Sequence, residues 1–234
     1  MSDTPSSIAV LVRHLELDDT YEYILQDALR HRSLQTNHNE RLELVSNSVL
    51  NLVISEWLYQ RFPHAREGKL SRARAALVKK NTLADMAMEL KLSSFVLMAP
   101  SEQRSGTHKR TSVLADAMEA IMGAVYLHGG WEKARDLIRR LYIVRMEALP
   151  TLEQLKDPKS RLQELLQSRG KHLPQYELLQ ASPEEGPRRF RSSCRIDWLE
   201  QPQIGWGASR RDAEQDAAAR TLQTLSQEHA KTNE

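Results

Sequence analysis

The chain has 234 residues, 40% of them hydrophobic and 27% charged, which suits one large or two modest globular domains. Its apolar runs are too short to cross a bilayer, and the polar stretch 1–7 lacks a basic-then-apolar leader pattern, so no membrane partner is expected. The single cysteine, Cys194, excludes an internal disulfide and a cysteine-built zinc site, which points to the cytoplasm, while a net charge of +2 is far from a histone-like excess.

Residues 1–149 carry helical periodicity almost throughout. Residues 43–59 place Leu44, Val45, Val49, Leu50, Leu52, Val53, Trp57 and Leu58 near the 3.6-residue repeat. Phe62-Pro63 ends that run, because proline cannot continue the hydrogen-bond ladder. Residues 71–78 and 82–90 read as two further helices, and 101–111 as a polar loop. An apolar helix over 113–127 stops at Gly129-Gly130, and 131–147 forms another. A polar linker over 150–156 follows. Next come a helix over 160–168 that ends at Gly170, strands over 176–180, 190–198 and 203–206, and an alanine-rich helix over 210–225. The expected fold class is mostly α: a helical domain over 1–149, then an α-β-β-β-α domain over 157–228.

The chemistry-bearing residues are acidic. On a helix, Glu40, Glu43 and Asn47 lie at i, i+3 and i+7 and share a face, and a second helix offers Asp116 and Glu119 at i and i+3. Carboxylates in such apolar helices are costly to bury unless paired, and Mg²⁺ is a cation that prefers oxygen ligands. Two facing helices of this kind suit metal-assisted phosphodiester hydrolysis. Spacing alone favours a plainer reading, in which the carboxylates are solvated or paired with Arg41, Lys109 or Arg110.

The motifs add what spacing cannot. Ala28-Leu29-Arg30-His31-Arg32-Ser33, then Asn39-Glu40-Arg41-Leu42-Glu43 with Ser48-Val49-Leu50, resemble the signature of the ribonuclease III family. So do Phe62-Pro63 with Glu67-Gly68-Lys69-Leu70-Ser71, and the helix from Ala115-Asp116 to Tyr126-Leu127. This resemblance implies a double-stranded-RNA endonuclease that uses Mg²⁺ or Mn²⁺ and processes ribosomal and messenger RNA precursors. It implies Glu43, Asp116 and Glu119 as metal ligands, Glu119 as catalytic too, and Glu40 and Glu67 as further active-site acids. It also implies a homodimer, each subunit cutting one strand to leave short 3′ overhangs. Leu44 stands where the family has an aromatic residue that plugs into the partner subunit.

The chain departs from that pattern at several positions. Ser46 and Asn47 stand where the family has glycine and aspartate, and Asn47 occupies the catalytic position with an uncharged amide whose NH₂ is a donor. Losing one such electrostatic group costs on the order of a hundredfold or more in rate. The expected activity is therefore impaired, and a non-cleaving double-stranded-RNA-binding homodimer is the alternative. A purely structural helical protein would account for the composition but not for the ordered motifs. Ser105-Gly106-Thr107 replaces a glycine pair, and His128 replaces an aspartate and reads as a solvated helix-end residue.

The second half resembles a double-stranded-RNA-binding domain. Asp157-Pro158 suits a helix N-cap and first turn, and Gln163 and Glu164 match positions that face the RNA minor groove. Gly205-Trp206-Gly207-Ala208-Ser209-Arg210-Arg211 leads into a helix whose N–H groups and positive dipole end suit a phosphate. Acidic and basic residues balance from 151 onward, so RNA binding there depends on local placement of Ser209, Arg210 and Arg211. In the loop 182–189 a groove-reaching histidine is replaced by Gly186, leaving Arg188 and Arg189 for backbone contacts. Binding is expected to follow duplex shape, over roughly 16 base pairs.

Overall fold

The structure is a computed structural model that describes residues 7–34, 38–181 and 189–232. The chain divides into two compact units, Met1–Pro150 and Thr151–Glu234. Gly186 and Arg188 lie outside the described residues.

In the first unit the helices are α1 (Ile8–His14), α2 (Glu22–Ala28), α3 (Glu40–Arg61), α4 (Glu67–Val78), α5 (Lys80–Glu89), α6 (Pro100–Arg104) and α7 (Thr111–Glu147). The buried face of α3 is Ser46, Val49, Leu50, Val53, Ile54 and Leu58, spaced as the helical repeat requires. Leu44 and Leu52 fall off that stripe and are exposed. The helix ends at Phe62, before Pro63, as expected.

The main partner of α3 is α7, which buries Ala115, Met118, Ile121, Met122 and Val125. Small residues set this contact. A Cβ on Gly123 would stand 2.3 Å from the Leu42 carbonyl oxygen and 3.4 Å from the Ser46 Cβ. The expected stop at Gly129-Gly130 is present as a kink at which two helices within α7 meet. Gly130 takes φ 76° and ψ −172°, and helix resumes beyond it. The 101–111 stretch is not a plain loop. Pro100, with φ preset for a first helical turn, opens α6, and a 3-10 turn covers Thr107–Lys109. Helix α5 begins at Lys80, two residues earlier than the periodicity indicated.

In the second unit, α8 (Pro158–Ser168) precedes β1 (Gln175–Ala181), β2 (Phe190–Arg195) and β3 (Gln203–Gly207), and α9 (Arg210–Thr232) closes the chain. The sheet is antiparallel in the order β1-β2-β3. Strand β2 ends at Arg195, short of the expected Trp198, which packs instead against the hydrophobic core. That core is Leu162, Leu166, Cys194, Ile196, Ala217, Ala218 and Leu225. Alanines at 213, 217 and 218 are wholly buried and let α9 lie close to β2 and β3.

Candidate metal centre and nucleic-acid interface

Helices α3 and α7 bring Glu43, Asp116 and Glu119 together, with one potential ligand oxygen from each lying within 4.8 Å of the others. Glu119 is buried, only 7% exposed, between Met118 and Ala120, which are fully buried. Burial and the neighbouring Asp116 raise its pKa above the usual carboxylate range. Glu43 is pushed up to about 7, first by burial and then by the charges of Asp116, Glu119 and Glu40. Two carboxyls, Glu43 and Glu119, whose ionisation is opposed by burial and by neighbouring acidic groups, form a site short of positive charge. An oxygen-only donor set with a partly buried base fits Mg²⁺ or Mn²⁺.

The cluster opens on a cavity of about 370 Å³ lined by His31, Arg32, Glu40, Glu43, Lys80 and Asp116, among others. Glu40 meets Arg32 at 3.9 Å and His38 at 3.6 Å. The Lys80 Nζ donates to Asp116 Oδ1 at 3.0 Å. Among the described residues, the basic side chains that meet these carboxylates are thus Lys80 and Arg32, with the His38 ring beside Glu40, not the Arg41, Lys109 or Arg110 that spacing suggested. Lys80 is not marked out by the sequence, because it falls between the apolar-periodic stretches 71–78 and 82–90. The Lys79-Lys80 pair flanking an apolar run was the signal available.

Of the expected nuclease-site residues, Glu119 lies behind the cavity lining within the acidic cluster, and Asn47 and Glu67 stand apart from both. Asn47 is exposed one turn beyond Glu43, and its backbone carbonyl accepts a hydrogen bond from Asn51 Nδ2 at 2.6 Å. Glu67 opens α4 and accepts a hydrogen bond from Ser71 Oγ. Ser46 is fully buried, and its hydroxyl has no hydrogen-bond partner among the described residues.

A second cavity, about 640 Å³, is lined by Tyr23, Ile24, Leu42, Val45, Ala124 and Leu127, with Asp27, His38, Arg41 and His128 among its polar residues. Leu44, 74% exposed, stands beside it on α3. His128 is exposed, as expected, but is held edge-on by the rings of Tyr21 at 4.8 Å and Tyr23 at 5.7 Å.

In the second unit, Ser209 caps α9. Its Oγ accepts from the Asp212 N–H at 3.1 Å and donates to Asp212 Oδ2 at 2.7 Å. Arg211 is exposed, and Arg210 is exposed but pairs with Glu214 at 2.9 Å. Lys159 holds the other oxygen of Glu214 and lies over the Tyr176 ring. Arg189 donates from Nε to the Ala208 carbonyl at 2.9 Å, just before the cap. Gln163 and Glu164 are exposed on α8, and Glu164 pairs with Lys156.

Comparison with known proteins places these features. A family model described as Ribonuclease-III-like matches residues 22–146, and one described as a double-stranded RNA binding motif matches residues 158–225. The chain is 47% identical over 212 residues to Ribonuclease 3 of Nitrosococcus oceani, covering 90% of this chain and 91% of that one. It is 44% identical over 220 residues to Ribonuclease 3 of Vibrio vulnificus, covering 94% and 98%. Among solved structures, the nuclease domain of ribonuclease III from Campylobacter jejuni aligns at 38% identity with a TM-score of 0.57, over 60% of this chain and 96% of that one.

Proposed function

Because the chain belongs to the ribonuclease III family and carries a double-stranded-RNA-binding domain, we propose that it is a Mg²⁺-dependent endoribonuclease for duplex RNA. The observation that carries this reading is the convergence of Glu43, Asp116 and Glu119 from two packed helices. Those residues would hold Mg²⁺ or Mn²⁺. Bound there, the ion supplies charge stabilisation at phosphate oxygens and acidifies a coordinated water, so that no covalent enzyme intermediate is needed.

The chain's own residues supply the rest. Buried Glu119 and half-buried Glu43 fix the donor oxygens, because helix packing leaves their backbones no freedom. Arg32 and His38 hold Glu40 at the cavity rim. The capped start of α9, with Arg210 and Arg211, offers N–H groups and charge to a backbone phosphate, and Gln163 and Glu164 face the minor groove. Physiological substrates are ribosomal and messenger RNA precursors, cut in the cytoplasm to duplexes with short 3′ overhangs. A homodimer forms by entry of each Leu44 into the partner's Leu42–Val45–Leu127 socket, which supports a cut on each strand.

Asn47 favours a second reading, in which the protein binds duplex RNA as a dimer without cutting it. Incubating the full chain with long duplex RNA, with and without Mg²⁺ or Mn²⁺, separates the two. Metal-dependent fragments support the nuclease, and a mobility shift with intact RNA supports the binder. Asn47→Asp is expected to raise the cleavage rate by about a hundredfold. No gain from that substitution would remove Asn47 as the cause of impairment.

A further inference from the structure

Lys80 stands apart from every motif read in the sequence, yet it lines the same cavity as Glu43 and Asp116. Its Nζ is 3.0 Å from Asp116 Oδ1. Its charge also acts on Glu43 and Glu119, whose ionisation it favours. The cluster that lacks positive charge therefore receives some from the chain itself, as a monovalent and tethered cation.

Geometry argues against a permanent structural pair. The Lys80 side chain is 64% exposed against 29% for Asp116. Exposed pairs of this kind contribute little, and a lysine head on four carbons swings freely while its backbone stays fixed in the first turn of α5. A divalent ion on the three carboxylates would stand within a few ångströms of the ammonium and repel it. The same cavity admits the RNA phosphates that the nuclease reading requires, so a displaced ammonium has a new anion within reach.

We propose that Lys80 is a tethered counter-ion that holds Asp116 before a divalent cation binds, competes with the cation for that carboxylate, and moves to an RNA phosphate once displaced. The inference rests on the metal-dependent nuclease reading and adds to it a coupling: phosphate and metal each ease the binding of the other. Lys80 would then restrain metal loading until duplex RNA arrives.

The test uses the full chain with Lys80→Met, which keeps the stem and removes the charge, and Lys80→Arg, which keeps the charge. Mn²⁺ is titrated calorimetrically without RNA. Lys80→Met is expected to bind it roughly fivefold more tightly, with Lys80→Arg close to wild type. With Ca²⁺ as the divalent probe, Lys80→Met should bind duplex RNA more weakly, with a shallower salt dependence. Equal or weaker Mn²⁺ binding by Lys80→Met overturns the competition, and unchanged RNA affinity overturns the transfer. If wild type binds Mn²⁺ and cuts duplex while both readouts stay flat, only the Lys80 role falls. If neither protein binds Mn²⁺, the nuclease reading falls with it.

Discussion

Glu43 and Glu119 keep protons in the folded chain more firmly than an unfolded chain would, and this fixes the sign of a pH effect. A carboxyl whose folded pKa is raised contributes stability below its unfolded value, here 4.5, and loses that contribution as pH rises through the folded value, about 7 for Glu43. In EDTA, this site should therefore lower the melting temperature as pH rises from roughly 4.5 to 7, with no further loss above that. Added Mg²⁺ binds the ionised form, so its stabilising shift should be larger at the higher pH. Glu43→Gln should remove most of that difference. An equal Mg²⁺ shift at both pH values would mean that Glu43 does not take part in binding the ion.

The same residues show how much the sequence disclosed. Glu43, Asp116 and Glu119 were legible because helical spacing fixes which side chains share a face, and because motif resemblance paired the two helices. Lys80 was not legible. Its part depends on where α5 begins and on how α5 meets α7, both tertiary facts that a lysine pair beside an apolar run leaves open.

At the scale of elements, the site is only as well made as the α3–α7 contact. Glu43 lies one residue from Leu42, whose carbonyl would be 2.3 Å from a Cβ on Gly123. Gly123→Ala must therefore push the two helices apart. Overpacking of this sort destabilises by about 1–3 kcal/mol. It should also draw Glu43 away from Asp116 and Glu119, so urea denaturation and Mn²⁺ titration should both register the change. Loss of stability without loss of Mn²⁺ affinity would place the ion elsewhere. Periodicity found α3 and the kinked α7 but not the short α6, since a five-residue helix is too brief to show a repeat.

The start of α9 carries its own prediction. Arg211 is exposed and Arg210 leans on Glu214, which Lys159 also holds, so the fold does not depend on either arginine alone. Arg210→Glu with Arg211→Glu should leave the far-ultraviolet circular dichroism unchanged. Duplex binding should weaken and its salt slope should flatten, because fewer phosphates are neutralised. An unaltered binding isotherm would move the RNA contact away from this helix end.

For the whole molecule, the open question is what covers Leu44. A leucine 74% exposed beside a cavity of about 640 Å³, part of it lined by Ile24, Leu42, Val45, Ala124 and Leu127, is a knob next to a socket on one chain. A two-fold pair uses that patch twice, so one substitution removes both contacts. Leu44→Asp would replace the apolar knob with a carboxylate that must give up its hydration to enter the partner's socket, and neither Leu42, Val45 nor Leu127 compensates it. Sedimentation equilibrium at micromolar protein should then show a monomer, against the dimer expected of the unmodified chain. Leu44→Phe adds apolar area to the same contact and should tighten the dimer instead. A Leu44→Asp protein that still sediments as a dimer would mean that the chains associate through another face, and the pairing of two cutting sites across one duplex would have to be derived from that face.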